Sequence, residues 1–471
     1  MSNRREFLKK SVVTTAGISI GAMGFSAQSY KNIIGANEKI NVASIGIRNF
    51  GYHTLIKQIC KLKDKQNVQI TTLCDVDERL FAERNQYVYE ETGIKPKNEW
   101  DMRKVFEDKD IDAVFIATPN HWHALATIWA CQSGKHVYVE KPVSHNIFEG
   151  RKMIEAANKY GVCVQVGMSR RANSNNQEAI KLLHDGGIGD VYLARVMCFK
   201  QRDSIGVGPD SNPPDSLHYN MWLGPASYQP YNVKKVHYNH HWFWNTGNGD
   251  IGNQAVHQLD IAHWGLNKMY EHPELVYSDG GIFGYTENKD LGADKTPYGG
   301  VPTYGSNISL QETPNTLSAL YKYNDGKIIE AEVRGRYSQG EATQGIHIGN
   351  IFLGTEGYLE MDGYKHWRAF RKNEEKPFAG SEQKNGNTNL WHDANITNFL
   401  EAIRSGDKSN LFNNIRNGHY SATMTHLANI SYRLGRKVKF MGEYERFADD
   451  PEANLMLTRE YRGPFVVPDE V

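Results

Sequence analysis

The chain predicts an α/β first half built on a doubly wound parallel sheet. An α+β second half with an open, mostly antiparallel sheet follows. Three observations carry this. Apolar β-rich runs alternate with helical-period segments from Lys39 to about residue 168. The first run ends in a glycine-punctuated turn, Gly46-Ile47-Arg48-Asn49-Phe50-Gly51. After Arg170 the alternation stops and strand-like runs succeed one another.

Taken in order, residues 40–47 (INVASIGI) form the first predicted strand and 51–61 the first helix. Val68–Cys74 is the next strand, with Asp75 at its end. Residues 111–117 (IDAVFIA) form a third strand, 123–133 a helix, His136–Val139 a strand, 147–160 a helix and 162–166 a strand. In the second half, 191–200, 275–283, 316–323, 327–334 and 347–352 read as strands, and 395–405 and 422–435 as helices. The Gly/Tyr/Asn-rich span 284–307 reads as a long loop. The expected organisation is a leader over 1–36, a nucleotide-binding domain over 37–168 and a substrate-binding domain over 169–471.

Composition removes several function classes. A net charge of zero leaves no electrostatic footprint for nucleic acid. Nothing after the N-terminus approaches the roughly 20 apolar residues that span a bilayer. The N-terminus reads Asn3-Arg4-Arg5-Glu6-Phe7-Leu8-Lys9, then a weakly apolar stretch rich in Gly, Ser and Thr. This is a twin-arginine export pattern, which places the mature protein in the periplasm. Losing residues 1–36 leaves a net charge of −4. The five cysteines (Cys60, Cys74, Cys131, Cys163, Cys198) are odd in number and without framework spacing, so they read as buried thiols.

The turn after the first strand is a G-x-G-x-x-G fingerprint whose middle glycine is Arg48. Gly46 permits the tight turn and Gly51 close helix–strand packing, as in Rossmann dinucleotide sites. Arg48, flanked by Asn49 and Phe50, is expected to fold aside and offer its guanidinium to the phosphates. Asp75 stands where a carboxylate accepts the ribose hydroxyls and repels a 2′-phosphate, so NAD is favoured over NADP. Ligands lie beyond the carboxyl ends of strands in such sheets. Thr118-Pro119-Asn120-His121-Trp122-His123 and Glu140-Lys141-Pro142 therefore belong to the cofactor edge. His121 and His123 lack companions at metal-ligand spacing, so no metal is predicted. Residues 237–247 (HYNHHWFWNTG) are either stacking faces for a polyhydroxylated ring or an aromatic plug.

This series of strand, AxPNxxH, helix, strand and EKP resembles the Gfo/Idh/MocA oxidoreductases from about Lys39 to the C-terminus. Gln165-Val166-Gly167, Trp222-Leu223-Gly224-Pro225, Gly354-Thr355-Glu356-Gly357 and Tyr461-Arg462 support the likeness. The resemblance implies NAD(P) bound by a Rossmann domain, with Glu140, Lys141 and Gln165 at the cofactor. It also implies a second domain with an open sheet, a cis Lys141–Pro142 bond and homo-oligomers paired through their exposed sheets.

Residues 249–260, GDIGNQAVHQLD, correspond to the family's second-domain helix facing the nicotinamide. In the family pattern D-x-x-x-H-x-x-D, His257 is the acid/base and Asp260 the last acid, while Asn253 replaces the first. An amide orients but carries no charge, so proton transfer is assigned to His257, whose unperturbed pKa of roughly 6.5 suits it. Lys141 is assigned to hold the substrate oxygen and the developing alkoxide, and Glu140 to orient Lys141 or pack behind it. The implied activity is hydride transfer between a sugar, glycoside or cyclitol hydroxyl carbon and a tightly held nicotinamide. An NAD-dependent glycoside hydrolase or lyase, working by transient oxidation and elimination, uses the same residues. A non-catalytic sugar-binding protein would find its support only in Arg48 and Asn253.

Overall fold

The structure, a computed structural model, describes residues 39–285, 309–364, 366–381 and 389–471. The expected leader and nearly all of the expected loop 284–307 lie outside these. Ile40–Val471 form one compact unit.

Six parallel strands build the first sheet: β1 Ile40–Ile45, β2 Val68–Cys74, β3 Lys97–Glu99, β4 Ala113–Ile116, β5 His136–Val139 and β6 Val164–Val166, in the order β3-β2-β1-β4-β5-β6. Strand β4 (AVFI) is a continuous apolar run and β1 nearly so, because both faces are covered there. Ile40 and Val42 enter one core cluster, while Ala43 and Ile45 enter another on the opposite face. Both β2 and β5 coincide with their expected spans. The edge strand β3 and the helices Phe81–Thr92 and Met102–Glu107 were not anticipated, since their apolar positions are few.

Two helices differ from expectation in a way that matters for the site. Gly51–Ile56 winds as a π-helix before the α-helix Lys57–Leu62 begins. The helix expected from His123 begins at Asn120, directly after Pro119, whose fixed φ suits helix entry. Asn120 and His121 are thereby drawn into the helix beside the strand end.

The second sheet has ten strands among the described residues. These are β7 Val191–Cys198, β8 Leu275–Gly281, β9 Thr316–Lys322, β10 Ile328–Arg334, β11 Ile348–Gly354, β12 Gly357–Asp362, β13 Trp367–Arg371, β14 Ala379–Gly380, β15 Val438–Met441 and β16 Arg446–Phe447. The order is β14-β13-β12-β11-β7-β10-β9-β8-β15-β16. Only β7 and β10 pair in parallel, so the sheet is mixed and mostly antiparallel. Strand β9 alternates buried and mostly exposed residues and β10 buried and half-buried ones, the signature of a sheet covered on one face. The helices Val256–Gly265 and Ile415–Leu434 lie on that face. Helix Asn389–Ser405 instead joins the parallel-sheet core, with Phe399 edge-on to Phe115 (5.6 Å) and near Tyr138 (5.9 Å). All five cysteines are free and buried, as expected. No helix among the described residues is long and apolar enough to cross a membrane.

Candidate active site

In the first sheet β2 and β4 flank β1, so the chain leaves β1 in opposite directions and opens a crevice at the carboxyl edge. A cavity of about 410 Å³ lies there. It collects residues after β1 (Gly46, Arg48, Asn49, Phe50), after β2 (Asp75), after β4 (Thr118, Pro119, Asn120, His123) and after β5 (Glu140, Lys141). From the second half come Lys200, Arg202, His237, Tyr238, His240, Asn253, Gln254 and His257.

The turn after β1 is built for close approach. Gly46 has φ +84°, and a Cβ there would sit 2.6 Å from the Ala117 carbonyl. A Cβ on Gly51 would meet the Gly46 carbonyl oxygen at 1.9 Å, so Gly51 acts in packing and does not line the cavity. Asp75 ties the turn down by accepting the Ile47 N–H (2.8 Å) and the Asp77 N–H (3.0 Å). Burial raises its pKa to about 6 against the pull of these two N–H groups, leaving it mostly ionised at neutral pH. Arg48 does fold aside, but onto Asp77 (2.6 Å), so its charge is already matched there. Hydrogen bonds from Arg79 and Arg48 more than offset the burial of Asp77 and bring its pKa to about 2.

Six groups along the wall, Arg48 Nε, Thr118 Oγ1, Asn120 Oδ1, Glu140 Oε1, His240 Nε2 and His257 Nδ1, are shielded from water and lack a hydrogen-bond partner among the described residues. Orphaned groups of this kind cost roughly 1–3 kcal/mol each. Their concentration here, with the Cβ-free turn, fits a polar ligand that approaches the backbone closely.

At the far end the two halves meet. The Lys141–Pro142 bond is cis. The Lys141 ammonium donates to the Asn253 carbonyl (2.6 Å) and lies 3.4 Å from its Oδ1. The Asn253 amide donates to Asp250 Oδ1 (3.1 Å), and Asp250 takes two bonds from Arg202 (2.7 and 2.6 Å). The carboxylate that Asn253 lacks is thus supplied three residues earlier. Asn253 sits in a π-helical turn, Ile251–Ala255, that leads into the helix carrying His257. Burial lowers the Lys141 pKa, opposed by Glu140, and raises that of Glu140, opposed by Lys141. Glu140 packs behind its neighbour against Gly167, where a Cβ would collide with the carboxylate. Burial, and then the positive charges of Lys141 and Arg170, hold His257 well below the usual imidazole range, so it is neutral, and it is a weaker base than the free imidazole the sequence led one to expect.

Two expected site residues lie elsewhere. Asp260 is 1% exposed and held by Arg171 (Nη2 2.8 Å, Nε 2.9 Å) and by the Ser421 hydroxyl (2.7 Å). One turn beyond His257, the helix has passed from the cavity wall into the core. Gln165 is fully buried and donates to Asn395 (2.8 Å) and Asn398 (3.2 Å). Its strand, β6, is the edge farthest from β1 on that side. The 237–247 segment divides: His237, Tyr238 and His240 line the cavity, while Trp242 is buried outside its lining. The His121 ring nitrogens lie against the Trp222 (2.9 Å) and Thr246 (3.3 Å) carbonyls. Those of His123 lie against the Pro142 (2.7 Å) and Thr118 (2.8 Å) carbonyls.

Sequence reading did not single out Lys200, Arg202 or Gln254. A signal existed: two cations, Lys200 and Arg202, stand just after a strand.

Comparison with known proteins agrees. Residues 40–168 match the family description "Oxidoreductase family, NAD-binding Rossmann fold". Residues 206–282 and 373–467 match "Oxidoreductase family, C-terminal alpha/beta domain". The uncharacterized oxidoreductase YrbE of Bacillus subtilis is 35% identical over 96 residues, 20% of this chain and 28% of that protein. An alpha-N-acetylgalactosaminidase of Shewanella oneidensis is 28% identical over 174 residues, 33% of this chain and 37% of that protein. The match thus spans well under half the length of either relative. Among solved structures, aldose-aldose oxidoreductase from Caulobacter crescentus, complexed with glycerol, superposes with TM-score 0.60 at 18% identity, covering 85% of this chain and 100% of that one. The WlbA dehydrogenase from Bordetella pertussis, in complex with NADH and UDP-GlcNAcA, gives 0.57 at 19% identity, covering 86% and 99%. At these identities the likeness is one of fold. The two matched regions together cover more than half of the sequence, and the chain belongs to the Gfo/Idh/MocA family of oxidoreductases.

Proposed function

We propose that this protein is an NAD-dependent oxidoreductase acting on a hydroxyl-bearing carbon of a sugar, glycoside or cyclitol. One observation carries the reading. Lys141 and His257, 116 positions apart, line one cavity with the turn that follows β1. The Gly46–Gly51 turn would hold the pyrophosphate and Asp75 the adenosine ribose, with NAD favoured over NADP by the Asp75 charge. Thr118 and Asn120 would meet the nicotinamide end, with Glu140 packed behind Lys141. When bound, the nicotinamide supplies the acceptor for the hydride.

The chain's own residues handle the proton and the charge. Lys141, pinned by the Asn253 carbonyl, would donate to the substrate oxygen and stabilise negative charge as it develops there. His257, neutral, would take the hydroxyl proton. Asp250 and Arg202 hold Asn253, and through it the ammonium, in place.

A second reading, a glycoside hydrolase working by transient oxidation and elimination, is favoured by the partial match to the Shewanella oneidensis alpha-N-acetylgalactosaminidase. We further infer export through the twin-arginine leader. Homo-oligomers would pair through the outer face of the ten-stranded sheet, where Tyr277 and Leu320 are cross-strand neighbours and exposed.

The deciding test is incubation of the purified protein with glycosides and cyclitols, following bound-cofactor absorbance in the near ultraviolet. A keto-sugar with reduced nicotinamide supports the oxidoreductase. An aglycone released without net reduction supports the hydrolase. A protein without bound nicotinamide and without affinity for added NAD refutes both.

A further inference from the structure

The cations around the cavity are not equally matched. Arg48 is paired with Asp77 at 2.6 Å. Arg202 is paired twice with Asp250 and also donates to the Tyr238 hydroxyl (2.8 Å). Lys141 has the Asn253 carbonyl and the neighbouring Glu140 carboxylate. Lys200 is different. It is half-buried at the end of β7, and its one hydrogen bond among the described residues is a long one, 3.4 Å, to Gln254 Oε1. No carboxylate pairs with it there.

Lys200 and Gln254 stand at the substrate end. Gln254 follows Asn253 in the same π-helical turn and precedes His257 by three residues. The Lys200 charge reaches both reacting groups, since it helps to depress Lys141 and His257. Among the described residues the acids lining this cavity are Asp75, which follows β2, and Glu140, behind Lys141. A half-buried ammonium beside an amide that can rotate its N–H toward the same point offers an anion charge-assisted hydrogen bonds. Lysine and a primary amide together present the donors a planar carboxylate accepts.

Resting on the reading of this cavity as a sugar site, we propose that Lys200 and Gln254 form a subsite for the carboxylate of a sugar acid. The oxidised carbinol sits at Lys141 and His257, and the carboxylate lies one or more carbons away, at Lys200. The preferred substrate is therefore an acidic sugar, with its neutral counterpart the weaker ligand. A carboxylate at the ring's exocyclic carbon and one at the former anomeric carbon are distinguished by using both as probes.

The test is calorimetric titration of the purified full-length protein, loaded with NAD, with D-glucuronate, D-gluconate and D-glucose. Binding of one of the acids at least roughly 10-fold tighter than glucose is expected, as for a charge-assisted hydrogen bond in a partly desolvated site. In Lys200→Met, which keeps the apolar stem, the acid-to-glucose ratio of dissociation constants is expected to collapse toward one. Lys200→Arg, which keeps the charge, should restore most of it. Equal affinity for acid and neutral sugar overturns the proposal. So does an acid preference that survives Lys200→Met, or no binding of any probe. Binding is read without turnover, so a protein that prefers the acid through Lys200 yet never reduces its cofactor would sink the oxidoreductase reading and leave this subsite standing.

Discussion

Replacing Asp260 by alanine separates a structural acid from a catalytic one. Its carboxylate is 1% exposed and receives the Arg171 Nε (2.9 Å), the Arg171 Nη2 (2.8 Å) and the Ser421 hydroxyl (2.7 Å). Arg171 is itself 5% exposed; without Asp260 its guanidinium keeps Met269 Sδ (2.7 Å) and the Trp264 ring (4.8 Å), neither of them an anion. Breaking such a pair from one side costs about 3–5 kcal/mol, because a charge is left buried without its partner. A cooperative unit of this size has an unfolding entropy of roughly 0.9 kcal/mol per kelvin, so the melting temperature should fall by roughly 3–6 °C. Turnover per folded molecule at 25 °C should stay near that of the parent, because Asp260 does not line the cavity. The assay is differential calorimetry beside bound-cofactor reduction on the same preparation. The paired variant Arg171→Met with Asp260→Leu removes both charges and should regain most of the loss. The reasoning is refuted if Asp260→Ala melts like the parent but no longer turns over, or if the paired variant is no more stable than the single one.

Four further outcomes follow from the site. Lys141→Ala and His257→Ala should each lower kcat by on the order of 10²–10³ while NAD binding persists, measured by turnover and by cofactor retention on desalting. Burial holds the Lys141 pKa below the ordinary value of roughly 10.4. An ammonium required for catalysis is lost as pH rises through that lowered pKa, so kcat/KM should fall on an alkaline limb that starts earlier than for a free lysine. In Lys141→Arg that limb should move out of range. Gly46→Ala forces a Cβ against the Ala117 carbonyl at positive φ, so titration should show NAD affinity reduced at least tenfold. Asp77 titrates at about 2 when folded and at roughly 3.9 when unfolded, so its contribution is present above pH 4 and lost as pH falls toward 2. Arg79→Ala should flatten the drop in melting temperature between pH 5 and pH 2.5.

Local pattern was enough for the α/β half. Strands β2 and β5 are rich in β-branched and apolar residues, and each is followed directly by the acid or the EKP motif that lines the cavity. The glycines of the first turn were legible for the same reason, because backbone geometry there leaves no room for a side chain. The antiparallel half was harder. Strands β12 to β16 are short, with few apolar residues, and are recruited by a neighbouring strand rather than by their own periodicity.

The site divides along the same line. Residues at the ends of parallel strands gather at one cavity because one topological rule puts them all at one edge. Asp260 and Gln165 were misplaced because spacing along a helix or strand says which way a side chain projects, not what stands opposite it. Arg171 and Asn395 stand opposite, from 89 and 230 positions away. Asp250 as the missing carboxylate, and Lys200 as a cation without a carboxylate partner among the described residues, depend on distances between the segment after β7, the π-helical turn and the EKP loop. Charge compensation is a property of three-dimensional proximity, and a linear chain does not encode it until the two halves close on each other.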